Sequence, residues 1–315
     1  MIEADVIIVG GGPGGSACAW RLRHHGINAI ILDQVSFPRF KPCAGWITPE
    51  VLHALNFRPS EYPYGLVTIR SFEIWVKQLH FRLPSRQHAI RRIEFDEWLL
   101  KRSGAPFYQH TVKQIQKMGD GYEVDGEFCG KYLVGAGGTH CPVYRNVFRD
   151  DYPKSRKALI AAQEEEFPYP DADPQCRLWF FQHDLPGYAW YVPKANGIVN
   201  VGVGGMADQL NAKGDNLKNH WAYLVEMLDA MGLVRGHAYK PSAHTYFLRQ
   251  KNPLLRKDNA YLVGDSAALA TLDMGEGICP AITSGLLAAD SIAHGTPYSV
   301  KKIPRYSIGS FFSLF

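Results

Sequence analysis

The hydrophobic and polar positions at the start of the chain come in blocks that predict strand, turn, helix and strand. Residues 4–9 form a continuous apolar run, which is typical of a parallel strand buried on both faces. A glycine-rich turn at 10–15 follows, and residues 16–25 have the apolar spacing of a helix. A second apolar run, 28–32, ends at Asp33. This order predicts a βαβ unit.

The middle of the chain has a different pattern. Residues 66–83 and 158–205 alternate in short segments rich in aromatic and β-branched residues, broken by Pro and Gly, which predicts an antiparallel sheet. Residues 92–102 and 216–231 have helical spacing. Near the end, a short apolar strand at 260–263 precedes a helix that we expect from about 277 to 293.

Composition narrows the class of protein. The chain is 46% hydrophobic and 20% charged, and its net charge of +4 (34 basic against 30 acidic residues) is too small to indicate nucleic-acid binding. No stretch approaches the ~18 apolar residues of a membrane span. The six cysteines are scattered, which argues against a disulfide framework, a zinc site or an iron–sulfur cluster and favours a reducing cytoplasm.

The glycine turn carries the first chemistry. Gly10, Gly12 and Gly15 satisfy the GxGxxG pattern between a strand and a helix. In that pattern the glycines allow a tight turn, a close approach of the backbone to a pyrophosphate and close packing of the helix on the sheet. The helix N-terminus attracts the phosphates, and Asp33 is placed to accept hydrogen bonds from ribose hydroxyls. The sequence therefore predicts a dinucleotide site, and the fingerprint leaves FAD and NAD open.

Three further segments are similar to the geranylgeranyl reductase family, a branch of the p-hydroxybenzoate hydroxylase-like flavoproteins. The first is Ala260–Asp265 followed by Gly275–Ile278, which resembles the second flavin motif of that family. By this resemblance the cofactor is FAD, Asp265 binds its ribityl chain, and the turn at Gly275–Gly277 sets a helix N-terminus against the pyrimidine edge of the ring. Helix N–H groups there would stabilise the negative charge of reduced flavin.

The second and third segments concern the substrate. Tyr188–Lys194, followed by Gly202 and Gly204, resembles the YxWxFPK…GxG element that lines the substrate cavity in the family. Lys41–Gly45 resembles the KxCGG segment that lies close to the isoalloxazine ring, with Cys43 as the thiol. A thiol there would donate a proton or position the substrate.

Two weaker matches add to the resemblance. Residues 92–99 resemble the RxxFDxxL helix start that contacts FAD in this group, through Arg92. Residues 133–143 occupy the place of the GADGxxS motif, but Gly137 replaces its aspartate, which argues against direct use of NAD(P)H.

The motif and the resemblance together give a set of candidate site residues. The expected FAD-binding residues are Gly10, Gly12, Pro13, Gly14, Gly15, Ser16, Asp33, Gln34, Lys41, Ala44, Gly45, Arg92, Gly264, Asp265, Gly275, Glu276, Gly277 and Ile278. The expected catalytic residues are Cys43, Tyr188 and Trp190, and no metal site is expected.

The expected fold is α/β, with a Rossmann-like FAD-binding domain and an inserted antiparallel-sheet substrate domain. The expected boundaries are 1–65, 90–155 and 250–300 for the discontinuous FAD-binding domain, 66–89 and 156–249 for the substrate domain, and 301–315 for a short C-terminal tail.

Three functions stay open at this point. The first is a geranylgeranyl reductase-like enzyme that reduces C=C bonds of an isoprenoid or other apolar substrate with reduced flavin. The second is a flavin-dependent monooxygenase or halogenase, because residues 188–193 also resemble the WxWxIP element of halogenases. The third is a flavoprotein that only transfers electrons.

The expected partners are an apolar isoprenoid or aromatic substrate and an external electron donor, with no nucleic acid. We expect a cytoplasmic protein. The basic and aromatic tail at 301–315 leaves three roles open, namely a peripheral membrane contact, a cap on a hydrophobic tunnel, and packing on the domain.

Overall fold

The computed structural model describes residues 1–307, which divide into two compact units. Unit 1 comprises Met1–Arg39, Ile93–Ser155 and Tyr246–Ser307, and unit 2 comprises Phe40–Arg92 and Arg156–Thr245. Of the C-terminal tail, whose membrane contact the sequence left open, residues 308–315 lie outside the described residues. Among the described helices, none is both long enough and apolar enough to cross a bilayer.

The strands of the described chain are, in order, β1 (Ile2–Val9), β2 (Ala29–Asp33), β3 (Trp46–Ile47), β4 (Val67–Val76), β5 (Leu79–Ala89), β6 (Phe107–Gln109), β7 (Ile115–Met118), β8 (Gly121–Val124), β9 (Phe128–Gly135), β10 (Leu159–Pro168), β11 (Cys176–Phe180), β12 (Gly187–Lys194), β13 (Ile198–Met206), β14 (Ser242–Phe247), β15 (Arg256–Lys257) and β16 (Ala260–Leu262). The α-helices are α1 (Pro13–His24), α2 (Pro49–Ala54), α3 (Arg92–Ser103), α4 (Ala207–Ala212), α5 (Leu217–Ala230) and α6 (Ile278–His294).

Unit 1 is built on a largely parallel sheet with the order β15-β16-β9-β1-β2-β6, to which the β7–β8 hairpin adds along β9. Strand β1 pairs in parallel with both β2 and β9. Its alternate residues enter two hydrophobic clusters, Val6 and Ile8 on the face covered by α1 and α6, and Ile7 and Val9 on the other. A strand buried on both faces explains why residues 4–9 are continuously apolar.

Helices α1 and α6 pack closely because small residues line their contact. A Cβ added at Gly285 would lie 2.2 Å from the carbonyl oxygen of Gly14. Only glycine at this position lets the backbones approach so closely. This contact brings the first glycine turn and the C-terminal flavin motif together within unit 1.

Unit 2 is built on a sheet with the order β14-β10-β13-β12-β11-β4-β5-β3. One face packs against α5 through Trp221, Leu224 and Leu228. The pairs β10–β13, β12–β13 and β11–β12 are antiparallel, as the sequence pattern predicts, whereas β11 pairs in parallel with β4. The parallel pair joins strands that are distant in sequence, so local pattern does not reveal its direction. The predicted fold class, α/β with a Rossmann-like part and an antiparallel-rich sheet, is confirmed.

Candidate functional site

The glycine turn after β1 has a geometry that only glycine permits. Gly10 has φ +115°, and a Cβ there would lie 2.4 Å from the carbonyl carbon of Ala136. A Cβ at Gly15 would lie 1.9 Å from the carbonyl oxygen of Gly10. Gly12 is the N-cap of α1 and has no side chain of its own to cap the helix, so helical N–H groups remain available beside it.

Asp33 closes the same turn from the end of β2. Its Oδ2 accepts the Gly11 N–H at 2.8 Å, and its Oδ1 accepts the Val35 N–H at 3.2 Å. A carboxylate offers about four lone-pair positions, so this one retains capacity for ribose hydroxyls. Gln34, the next residue, is exposed.

A cation beside the turn was not among the sequence-based candidates. Nη2 of Arg39 lies 3.3 Å from Oδ2 of the fully buried Asp96, and its guanidinium lies 4.8 Å from the ring centroid of Phe37. A Cβ at Gly12 would lie 3.3 Å from the same nitrogen. Asp96 belongs to the RxxFDxxL segment, so that segment could have pointed to a carboxylate, but nothing in the sequence pairs it with Arg39.

The second motif places the turn at Gly264 and Asp265 next to the start of α6. The Gly264 N–H donates to Ser284 Oγ at 2.9 Å, and a Cβ at Gly277 would lie 3.2 Å from Oδ1 of Asp265. Glu276 Oε1 accepts the Cys279 N–H at 2.7 Å and so satisfies one of the first donors of the helix. The other early N–H groups of α6 remain candidates for contact with a flavin ring.

Lys154 is a second cation in unit 1 that sequence reasoning missed. Its ammonium donates to the carbonyl oxygen of Asp265 at 3.1 Å and lies 4.1 Å from the ring centroid of Tyr144. Burial lowers the pKa of Lys154 to about 8. The hydrogen bond from Lys154 to the backbone carbonyl of Asp265 holds this turn in place.

These features fit FAD. The glycines at 10, 12 and 15 leave a space that any Cβ would narrow, and a carboxylate lies at the end of β2. Arg39 and Lys154 supply cations, and the N-terminus of α6 lies beside Asp265. A dinucleotide with a pyrophosphate and an anionic ring needs such donors.

The second group of candidate residues lies on one face of the unit 2 sheet, opposite the face that packs on α5. Directly opposed residues of neighbouring strands share a face, so the pairing register assigns its members. We call this the site face. It consists of two rows across β10, β13, β12 and β11 and a third across β10, β13 and β12, namely Ala162–Gly204–Tyr188–Phe180, Glu164–Gly202–Trp190–Leu178 and Glu166–Asn200–Val192.

The glycine in the middle row explains how Trp190 lies on this face. A Cβ at Gly202 would lie 2.2 Å from Cζ2 of Trp190 and 2.8 Å from Cβ of Glu164. The indole therefore occupies the space that a side chain would take, and its Nε1–H donates to Asn200 Oδ1 at 2.7 Å. The sequence spacing between the Trp190 segment and the pair Gly202 and Gly204 is therefore explained by the packing of the indole on Gly202.

Acidic and basic side chains are buried at the β10 edge of the site face. Lys194 is fully buried, and its ammonium donates to Glu166 Oε2 at 2.5 Å, while Arg91 Nε donates to Oε1 at 2.8 Å. Burial raises the pKa of Glu166, but the two cations outweigh it and hold that pKa below its ordinary value. Glu166 is therefore a paired carboxylate.

Glu164 is in a different state. It is 1% exposed, and burial raises its pKa to about 7, with Lys194 opposing only in part. Cys43 lies in the same cluster, where burial raises the pKa of its thiol against the opposing effect of Arg92. The thiol is thus protonated at neutral pH. Sequence reasoning singled out Cys43 but not Glu164, whose position in a run of polar residues resembles an exposed strand edge.

The candidate residues therefore divide between the units. Unit 1 holds the predicted cofactor residues of the first glycine turn, of the end of β2, and of the segments from Gly264 to Ile278. Unit 2 holds Lys41, Cys43, Ala44, Gly45, Arg92, Tyr188 and Trp190. Within unit 2, the carbonyl oxygen of Cys43 lies 3.5 Å from Asn200 Nδ2, which joins the KxCGG-like segment to the site face.

One cluster of candidate metal ligands lies among the described residues of α1 and α6. Ligand atoms of His25, Asp290 and His294 lie within 4.8 Å of one another. Asp290 is already paired with Arg21 at 2.7 Å and with His25 at 2.8 Å. These contacts account for the carboxylate, and we assign no ion to the cluster.

Comparison with known proteins agrees with these motifs. A family model described as an FAD binding domain matches residues 3–58. The chain is 33% identical over 312 residues to an uncharacterised protein of Methanosarcina barkeri, with 93% of this chain and 75% of that protein covered.

Two named relatives are similar over comparable lengths. The chain is 27% identical over 340 residues to digeranylgeranylglycerophospholipid reductase 2 of Methanosphaera stadtmanae, covering 97% of this chain and 82% of that one. It is also 27% identical over 320 residues to menaquinone reductase of Mycobacterium tuberculosis, covering 91% and 76%.

Solved structures share the fold. A geranylgeranyl bacteriochlorophyll reductase-like protein of Thermoplasma acidophilum superposes with a TM-score of 0.80 at 21% identity, covering 94% of this chain and 79% of that one. A flavin-dependent brominase gives 0.75 at 18% identity, covering 95% and 81%. The predictions of FAD as cofactor and of a flavin enzyme are confirmed, and the chain belongs to the geranylgeranyl reductase family of FAD-dependent oxidoreductases.

Proposed function

We propose that the enzyme uses reduced FAD to saturate C=C bonds of an isoprenoid chain, either on a lipid or on a quinone. The observation that carries this proposal is the site face of unit 2, where aromatic and small residues lead to buried proton-bearing groups. The names of the relatives from Methanosphaera stadtmanae and Mycobacterium tuberculosis support the same substrate class.

Unit 1 is the FAD-binding domain in this proposal. The first turn of α1 and Arg39 hold the pyrophosphate, Asp33 holds the adenosine ribose, and Asp265 holds the ribityl chain. The N-terminus of α6 stabilises negative charge on the ring. FAD supplies hydride when it is bound and reduced.

Unit 2 is the substrate domain, and its site face forms an apolar path. The register extends the rows through β4 into β5, so that the middle row reads from Phe81 and Ile74 to Leu178, Trp190 and Glu164. Six strands at a spacing of ~4.8 Å give a row of about 24 Å, which accommodates an extended prenyl chain. Burying each CH₂ of that chain contributes about 0.8 kcal/mol.

Small and aromatic residues have distinct tasks on this path. Gly204 leaves room for a chain to lie across β13, while the space over Gly202 holds the Trp190 indole. Tyr188 stacks on Phe180 with ring centroids 5.0 Å apart, and the two rings form an apolar wall. Tyr188 and Trp190 therefore position the substrate, while Cys43 contributes a neutral thiol.

The electron donor and a membrane contact are further parts of the proposal. An external donor reduces the flavin. At the outer end of the path, Leu79 is 71% exposed and Phe81 45%, which suits transfer of a lipid from a membrane surface. We expect anionic phospholipid vesicles to retain the protein and the Phe81→Ser variant to be retained less; equal retention of both forms would remove the membrane contact.

Single-turnover reoxidation tests the reaction. The holoenzyme is reduced anaerobically with dithionite and mixed with a geranylgeranyl lipid, with menaquinone, or with the saturated lipid as control. We expect reoxidation by an unsaturated chain and none by the saturated one. Reoxidation only by oxygen, with a hydroxylated or halogenated product, would reject the proposal in favour of a monooxygenase or halogenase.

A matched pair of variants ties the reaction to the site face. Trp190 and Trp179 are both buried, in neighbouring strands, but Trp179 belongs to the cluster that packs on α5. We expect Trp190→Phe to raise KM for the isoprenoid by about tenfold, the order of one lost aromatic contact. Trp179→Phe should leave KM unchanged, and equal effects of the two would show that the site face does not bind the substrate.

A further inference from the structure

Glu164 is placed in the middle of the site face. Its register partner on β13 is Gly202, and the indole of Trp190 lies over that glycine. The side chain is 1% exposed and forms part of the same row as the aromatic residues. The protonation state of a carboxyl group in such surroundings needs an explanation, because burying an unpaired charge costs free energy.

The contacts of the carboxyl group are few. Glu164 Oε1 lies 3.5 Å from Nδ2 of Asn200, whose own oxygen accepts the Trp190 indole N–H. Glu164 Oε2 is buried and has no hydrogen-bond partner among residues 1–307. An ionised oxygen would be left unsatisfied there, whereas a protonated one is an O–H donor facing the row.

Within residues 1–307, the charges around Glu164 do not provide it with an ion pair. Lys194 donates to Glu166, and Arg91 donates to the other oxygen of the same residue. Arg92 and the Cys43 thiol also interact electrostatically with this cluster. Because Glu166 takes both nearby partners, Glu164 is the carboxyl group left to hold a proton.

Resting on the proposed function, we infer that Glu164 is the acid that protonates the substrate during C=C reduction. One alkene carbon accepts the hydride of reduced flavin. The O–H bond of Glu164 breaks, its proton forms a C–H bond with the other carbon, and the electron pair stays on the carboxylate. The alkene gains two electrons, the flavin loses two, and a proton from water restores the acid.

This assignment separates the two acids of the cluster. Burial sets the pKa of Glu164 at about 7 and raises the pKa of the Cys43 thiol above its ordinary value. An acid with a pKa near the working pH transfers its proton most effectively, which favours the carboxyl group. Cys43 then positions the carboxyl group through its backbone.

The test compares Glu164→Gln with Glu165→Gln in the holoenzyme. Glu165 is the next residue of β10 but faces the other way, with Oε1 2.9 Å from Nε2 of His237. Single-turnover reoxidation by the isoprenoid should fall by about 100-fold or more in Glu164→Gln, the usual contribution of an acid. Glu165→Gln should keep the wild-type rate. The wild-type rate should fall as pH rises through about 7, and this decline should disappear in Glu164→Gln and persist in Glu164→Asp.

A second readout does not depend on turnover. Infrared difference spectra across the same pH range should show the C=O band of a protonated carboxyl group in wild type and in Glu165→Gln, but not in Glu164→Gln. A Glu164→Gln enzyme with the wild-type rate and pH profile would overturn the inference, as would loss of the pH dependence in Cys43→Ser alone. If the wild-type enzyme is not reoxidised by any isoprenoid, the proposed function fails and this inference fails with it.

Discussion

The buried carboxyl group of Glu164 makes a prediction about folding that does not depend on any substrate. Burial raises its pKa from an ordinary value of 4.5 to about 7 in the folded chain. In the unfolded chain the group has its ordinary pKa. Between these two values the folded state binds a proton that the unfolded state has released, so the free energy of unfolding falls as pH rises.

The size of the effect follows from the pKa difference. Each pKa unit is worth about 1.4 kcal/mol. The contribution is fully present below pH 4.5 and is lost by the time pH has risen through about 7, a change of about 3 kcal/mol in total. Glutamine at position 164 keeps the shape of the protonated acid but does not titrate. The stability of Glu164→Gln relative to wild type should therefore rise by about 3 kcal/mol across this range.

Urea unfolding of the holoprotein at several pH values measures this difference. Other groups titrate equally in both proteins, so subtraction removes their contribution. Glu165→Gln is the control, because its carboxyl group faces the other side of β10. Parallel stability curves for wild type and Glu164→Gln would refute the reasoning and show that the folded carboxyl group titrates normally.

Four other substitutions test the packing within unit 2 and the glycine turn of unit 1. In Gly202→Ala the new Cβ lies 2.2 Å from the Trp190 indole, so the free energy of unfolding should fall by about 1–3 kcal/mol. In Gly204→Ala the nearest atom lies 3.4 Å from the new Cβ, so the free energy of unfolding should change by less than about 0.5 kcal/mol. Urea unfolding measures both. In Gly12→Ala the Cβ meets only a flexible guanidinium at 3.3 Å, so apoprotein stability should stay within about 1 kcal/mol while fluorescence titration shows at least about tenfold weaker FAD binding. Lys194→Met leaves Arg91 as the remaining cation on the buried Glu166 carboxylate and should cost about 3 kcal/mol in the same unfolding assay; a loss under about 1 kcal/mol would mean that the pair is not buried as described.

Local pattern predicts the elements whose burial is uniform. Strand β1 is apolar throughout because both of its faces are covered, and α5 is amphipathic because one side packs on the unit 2 sheet. The turn at Gly10 is predictable because Gly10 and Gly15 have steric requirements that the pattern records. In these cases the residue types show how buried or crowded each position is, whichever segment of the chain covers it.

The pairing of distant segments is not available from local pattern. The parallel pair β4–β11 depends on where two remote strands meet, and the ion pair of Arg39 with Asp96 depends on the path after β2. These contacts arise from tertiary structure, and the single sequence gives no signal for them.

Glu164 shows the same limit within the site. The segment Gln163–Glu166 is polar throughout, which is typical of an exposed strand. The register with β13 instead turns Glu164 and Glu166 toward the site face and Glu165 away from it. Since a shift of one residue would reverse these directions, the acid can be recognised only once the pairing is known.

The central claim is that this flavoenzyme saturates C=C bonds, and the most direct test is the mass of the product. The reduced holoenzyme is incubated anaerobically with a geranylgeranyl lipid. The lipid is then extracted, and its molecular mass is measured by mass spectrometry. The account predicts a gain of two hydrogens for each double bond reduced, with one equivalent of flavin oxidised per bond. An unchanged lipid under anaerobic conditions, together with oxygen or halogen incorporation when air and halide are supplied, would contradict it.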